Sequence, residues 1–173
     1  LLAQANYRSV AGTITIAGTS SMHNWELKSK DMLVIASFET DPDGKLSEVI
    51  SLNFSMLSNS LKSGKTGLDD NAYQSLDTKN FSSIRFAALQ GTVKPTADNL
   101  LIRCNGLMQV AGKALNTDVI ANCSLSADGT LTCTGTKVLK MTDFHITPPS
   151  FMMGTIKTGD EVTLRFTTVL KKQ

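Results

Sequence analysis

A chain of 173 residues is long enough for one domain with a sizeable core and short for two. With 17 basic against 15 acidic residues and only 6% aromatics, it offers neither the concentrated positive field nor the stacking platform that nucleic acid needs. No stretch approaches the ~20 continuous apolar residues of a membrane-spanning helix.

The first five residues, Leu1-Leu2-Ala3-Gln4-Ala5, read as the end of a cleaved leader, an apolar run followed by a small-x-small site, or as a disordered start. Residues 6–173 are then one domain. Within it, period-two alternation predicts eight strands: 7–17, 22–39 with a break around Lys28 to Asp31, 46–57, 82–93, 99–110, 115–126, 130–140 and 160–170. Asp41-Pro42-Asp43-Gly44, Pro95 to Asn99, Ala111-Gly112-Lys113 and Ala127-Asp128-Gly129 supply the residues with which a chain reverses. Short connections make neighbours antiparallel. One apolar face per strand can be buried by stacking two sheets or by closing one sheet on itself, and closure also removes the edges. The expected fold is all-β, an eight-stranded antiparallel up-and-down barrel with one short helix in the 58–81 insertion.

Near the start, Gly18-Thr19-Ser20-Ser21-Met22-His23-Asn24-Trp25-Glu26 places the single tryptophan two residues from one of two histidines. On a strand His23, Trp25 and Leu27 share a face. His23 is read either as a hydrogen-bonded structural histidine or as a donor to a polar ligand head. Further inward faces carry Ile50, Leu52, Phe54 and Met56, then Ile84, Phe86 and Ala88. Downstream the inward set continues with Leu100, Ile102, Cys104, Gly106, Met108 and Val110, and with Val119, Ala121, Cys123 and Leu125. Leu131, Cys133 and Gly135, then Val162, Leu164 and Phe166, complete it. Between the third and fourth strands, Leu68, Ala72 and Leu76 fall four apart. That spacing predicts about two helical turns capped by Asp69, stapled by Leu68 and Tyr73 and seated on one mouth of the barrel. The loop from His145 to Gly159 carries Pro148-Pro149 and Phe151-Met152-Met153. These apolar residues form a lid or contact surface, or else pack beneath the loop.

Three cysteines leave at least one thiol outside any internal bridge. If Ala127-Asp128-Gly129 is a three-residue hairpin loop, Cys123 lies opposite Cys133 and a disulfide can join them; the alternative is three small buried apolar groups. The spacing of cysteines and histidines suits no zinc site. No nucleophile elbow, phosphate-cradling loop or His-Glu-x-x-His is present, so no residue is assigned a catalytic role, and haem ligation by one histidine has little to support it.

Five pieces in order, Gly18 to Glu26, Ser60-Leu61-Lys62-Ser63-Gly64-Lys65 with Leu68-Asp69, Phe81-Ser82-Ser83-Ile84-Arg85-Phe86, Asn105-Gly106-Leu107 with Ala111-Gly112, and Met141-Thr142-Asp143-Phe144 followed by Pro148-Pro149 and Thr158-Gly159-Asp160-Glu161-Val162, resemble the YceI-like family over about residues 7–170. The resemblance implies an exported, periplasmic or secreted, lipocalin-like barrel. It implies an apolar tunnel for an isoprenoid chain, a polyprenol or isoprenoid quinone, with no cofactor or catalytic apparatus. The ligand-binding residues it implies are Ile14, Ile16, His23, Trp25, Leu52, Phe54, Met56, Ile84, Phe86, Met108, Phe144, Phe151, Leu164 and Phe166. Each of these also reads as ordinary core. The partners expected are an isoprenoid lipid, a transient membrane contact and a second copy of the chain in a homodimer. The competing reading is a protein-interaction module that uses the Phe151–Met153 loop and the short helix as its surface.

Overall fold

A computed structural model describes residues 3–173. Eleven strands occupy eight positions around a closed barrel. β1 (Ala3–Ser20) pairs with β2 (Asn24–Ser29) over its second half and with β3 (Leu33–Thr40) over its first, so β2 and β3 lie end to end as one broken strand. β4 (Leu46–Leu57) follows. β5 (Ser83–Ala88) and β6 (Gly91–Pro95) share the next position between β4 and β7 (Leu100–Val110), and Leu89 at their break is 86% exposed. The meander continues through β8 (Lys113–Leu125) and β9 (Leu131–Lys140). β10 (Ser150–Phe151) is a two-residue pairing on β11 (Ile156–Lys172). A long antiparallel ladder between β1 and β11, with Ile14 opposite Phe166, closes the sheet. Closure leaves no exposed edge around most of the wall.

The predicted inward faces are the observed ones along most of the chain, and two departures have local causes. A bulge in the β3–β4 ladder, where Ser37 faces Ser51 but Phe38 faces Val49, makes Ile50 the extra residue and turns Val49 inward to 3% exposure. Leu125, expected inward, is exposed because β7 begins at Leu100 opposite Cys123, so Leu125 runs past its covering neighbour. Ala3, Gln4 and Ala5, read from sequence as a leader end or disordered start, pair with Thr40, Glu39 and Phe38, and Ala5 is buried. Leu1 and Leu2 of that reading lie outside the described residues.

The lower end of the barrel is filled. Ala5, Tyr7, Ala36, Phe38, Val93 and Leu131 belong to one buried cluster, with Tyr7 and Phe38 edge to face at 5.6 Å. Cys123 and Cys133 form a disulfide in this region, and Cys104 is a free, buried thiol.

At the upper end β2 pairs with β1 alone, so its other edge needs a partner. The insertion supplies it: Lys28 and Lys62 exchange backbone hydrogen bonds of 2.8 and 2.9 Å, and Ser29 Oγ lies 2.7 Å from Ser60 Oγ. Helix α1 (Thr66–Ser75), with Lys65 at its N-cap position, then begins four residues earlier than the capping prediction. Asp69 is not its cap. The Asp69 carboxylate instead accepts from Ser63 N at 2.7 Å and Ser63 Oγ at 2.6 Å, fixing the approach to the helix. Tyr73 makes no staple with Leu68; its hydroxyl donates to the Leu61 carbonyl at 2.7 Å. A ten-residue helix with no side-chain cap is marginal alone, so it depends on the barrel beneath it.

Candidate functional site

Above the filled floor the barrel is hollow. A cavity of about 600 Å³ runs from the level of Ile102 and Cys123 up to the mouth covered by α1. This volume lies within the range of small-molecule sites. Eight residues of β7 separate Ile102 from Val110, so with ordinary strand tilt the bore is roughly 20 Å deep. All fourteen sequence-predicted residues, Ile14, Ile16, His23, Trp25, Leu52, Phe54, Met56, Ile84, Phe86, Met108, Phe144, Phe151, Leu164 and Phe166, line this one space. Several of them, including Trp25, Phe54 and Leu164, face inward yet remain only half-buried, as expected of side chains on the wall of a void.

Local sequence shapes the wall. Gly18 stands opposite Trp25, and a Cβ there would run into the indole, so only glycine lets the ring lie flat across β1. Trp25 Nε1 donates to the Thr19 carbonyl at 3.2 Å, which fixes the ring at the mouth. Gly135 opens a similar space for Phe166. His23 is exposed on the rim, with Nδ1 2.9 Å from the Asn24 carbonyl and its backbone N–H donating to Ser20 Oγ at 3.1 Å. Its observed ring contact leaves Nε2 for a ligand. Leu68, Ala72 and Leu76 turn the inner face of α1 onto the bore, as their spacing predicted.

Sequence reasoning missed other lining residues. Met32 sits in the break between β2 and β3, where alternation gives no phase. Leu61 is fully buried in an aperiodic segment. Lys137 lies on the inward parity of β9 with Leu131, Cys133, Gly135 and Leu139, a signal that alternation carried but hydrophobicity hid. The Phe151 loop divides its apolar residues: Phe151 and Pro149 line the mouth, whereas Met152 and Met153 project outward.

Electrostatically the site is one-sided. Lys65, Arg85, Lys137 and Lys140 reach the cavity, and no carboxylate does among the described lining residues. Deep in the bore, burial, with a smaller contribution from Asp118, pushes the Cys104 thiol up to about 11. That thiol is protonated at neutral pH and a poor nucleophile. Among the described residues no three His, Cys, Asp or Glu side chains cluster as a metal site. The arrangement can enclose an apolar chain and exclude water from it.

No family model matches the sequence, and no curated protein matches it. Solved structures do resemble the fold. BcnA of Burkholderia cenocepacia is 18% identical, with a TM-score of 0.72 over 91% of this chain and 95% of that one. A polyisoprenoid binding domain from Saccharophagus degradans, implicated in plant cell wall breakdown, is 12% identical, with a TM-score of 0.68 over 96% and 98%. The YCEI protein of Campylobacter jejuni is 16% identical, with a TM-score of 0.58 over 81% of each chain. The chain therefore has the fold of the YceI-like barrels, closed around a hollow upper half.

Proposed function

We propose that this chain is an exported YceI-like lipid-binding protein that holds one isoprenoid chain, a polyprenol or isoprenoid quinone, in its bore. The observation that carries this reading is the hollow interior: about 600 Å³ walled by aliphatic and aromatic side chains, with a floor at one end and a mouth at the other. Each CH₂-sized unit moved from water into such a bore gains about 0.8 kcal/mol, so several isoprene units outweigh the cost of ordering a flexible tail. The neighbour from Saccharophagus degradans, described as polyisoprenoid-binding, and the five family-like sequence pieces support the ligand class. The Cys123–Cys133 bridge supports an oxidising compartment, periplasmic or extracellular. Binding is the whole activity in this reading, with no covalent step.

The competing interaction-module reading keeps only part of its surface, because Phe151 and the apolar face of α1 are turned onto the cavity while Met152 and Met153 face outward. The test is to purify the protein without detergent, extract it with organic solvent and identify bound lipid by mass spectrometry. Stripped protein should then take up added polyprenol or quinone with quenching or shift of Trp25 emission. Protein recovered empty, with no uptake of either lipid, would overturn the proposal.

A further inference from the structure

The rim of the bore carries an apolar surface that neither the barrel core nor the cavity uses. Two hairpins build it: the turn from Ser20 to Asn24 between β1 and β2, and the turn from Phe151 to Thr155 between β10 and β11. They are fastened side by side, since Ser21 N donates to the Lys157 carbonyl at 2.9 Å and Lys157 N donates to Ser21 Oγ at 3.0 Å. Each tip displays methionine: Met22 is 69% exposed, Met152 72% and Met153 106%. Met152 and Met153 take left-handed backbone angles, φ 52° and 58°, before Gly154 at φ 86°. The chain thus holds two apolar side chains out in water, through a backbone conformation that L residues avoid. In the same hairpin Phe151 turns the other way, into the mouth.

Charge indicates what covers this rim. The tip segments 18–25 and 146–159 contain His23 and Lys157 and no carboxylate. The carboxylates just outside them are engaged, Glu26 with Lys28 at 3.2 Å and Asp160 accepting from the Thr142 backbone N–H and hydroxyl, and the charged side chains that reach the cavity are all cationic. Three flexible apolar side chains on narrow tips fall far short of the roughly 800 Å² per partner of a stable protein interface. They suit a fluid surface that needs no complementary shape, with the cations facing anionic headgroups.

We propose that the methionine rim docks on an anionic lipid bilayer and presents the mouth of the bore to the acyl region. This rests on the reading of the bore as an isoprenoid site, since a ligand insoluble in water must be collected from, or returned to, a membrane. The experiment uses the whole chain, vesicles of phosphatidylcholine with and without phosphatidylglycerol, and Trp25 at the mouth as the reporter. Wild type should co-sediment with the anionic vesicles and show a blue-shifted Trp25 emission. Substituting Met22→Ser, Met152→Ser and Met153→Ser together should weaken that binding on the order of tenfold per methionine. The same triple variant should take up polyprenol from detergent micelles as wild type does, yet extract it more slowly from vesicles. Wild type that ignores anionic vesicles, binds neutral ones equally well, or loses nothing on the triple substitution would overturn the proposal. So would a concentration-dependent dimer that the triple substitution abolishes, which would assign the rim to a second copy. Wild type that docks through its methionines but never takes up polyprenol from micelles would leave the docking intact and remove the isoprenoid reading instead.

Discussion

Hollowness can be tested by adding a side chain to each end of the barrel. Ala121 on β8 lines the cavity between Ile102 and Gly135, whereas Ala36 on β3 is 0% exposed in the filled lower cluster and does not reach the cavity. Ala36→Phe forces a ring into close-packed space and should cost about 1–3 kcal/mol or more. Ala121→Phe instead puts its ring into the void, where burial of the new apolar surface offsets any local adjustment, so the stripped protein should keep its stability or gain about 1 kcal/mol. The same ring occupies the deep end of the bore. Excluding one isoprene unit of five carbons at about 0.8 kcal/mol each removes up to about 4 kcal/mol, so affinity for a long polyprenol should fall by as much as ~1,000-fold. Urea unfolding of lipid-stripped protein gives the first quantity and titration of Trp25 emission the second. Equal destabilisation by the two substitutions, or unchanged lipid affinity in Ala121→Phe, would mean that the side chains meet in the middle and that the bore is no binding site.

Two further outcomes follow from the sulfur chemistry. Removing the Cys123–Cys133 bridge by Cys123→Ser with Cys133→Ser should cost roughly 1–3 kcal/mol in urea unfolding, with a chain-entropy ceiling of about 3 kcal/mol for so short a ring. The low end applies if hydrogen bonds already hold the hairpin, as Ser126 N to the Thr130 carbonyl at 2.9 Å indicates; no loss at all would mean that the cysteines are unbridged. Cys104 should resist iodoacetamide at pH 8 in the native protein and react once in denaturant, with three alkylations only after reduction. Its thiol loses its proton near 9 when unexposed to the fold's influence and near 11 in the folded chain, so its contribution to stability is full below pH 9 and is lost as pH rises towards 11. Rapid native alkylation at pH 8, read by mass spectrometry, would contradict the burial of that thiol.

The fold was largely legible because period-two alternation reports which side chains share a face, and antiparallel turns report which strands are neighbours. Eight positions, the breaks near Lys28 and the pairing of Cys123 with Cys133 all follow from those two signals. What alternation does not encode is the radial coordinate. Ile102 at the floor and Met108 in the wall carry the same inward parity on β7, but one packs at the bottom of the void and the other flanks it. The lining residues were therefore identifiable as inward, while their exposure to a cavity was not. The errors at Ile50 and Leu125 arise where a bulge shifts the phase and where one strand outruns its neighbour. The false cap at Asp69 arises because Asp and Ser can satisfy each other in a turn as readily as a helix end.

A hollow upper half needs its stability supplied elsewhere, and the distribution of contacts meets that need. A side chain on the wall of a void loses dispersion partners on its inner side, so each residue around the bore contributes less than a comparable core residue. The closed ladder does not depend on those partners. Strand amides and carbonyls along β1 and β11 pair whether or not Phe166 and Ile14 meet anything across the barrel. The disulfide and the larger buried cluster lie at the lower end, where Ala36, Phe38, Cys123 and Leu131 are almost wholly buried. The upper wall is held by backbone hydrogen bonding and by a smaller buried cluster, Ile14, Leu27, Met56, Leu61 and Ile84, against which Leu68, Ala72 and Leu76 of the insertion pack, although the helix itself has no buried residue. An apolar chain in the bore would restore the missing contacts exactly where the empty barrel lacks them, which makes binding and local stabilisation the same event.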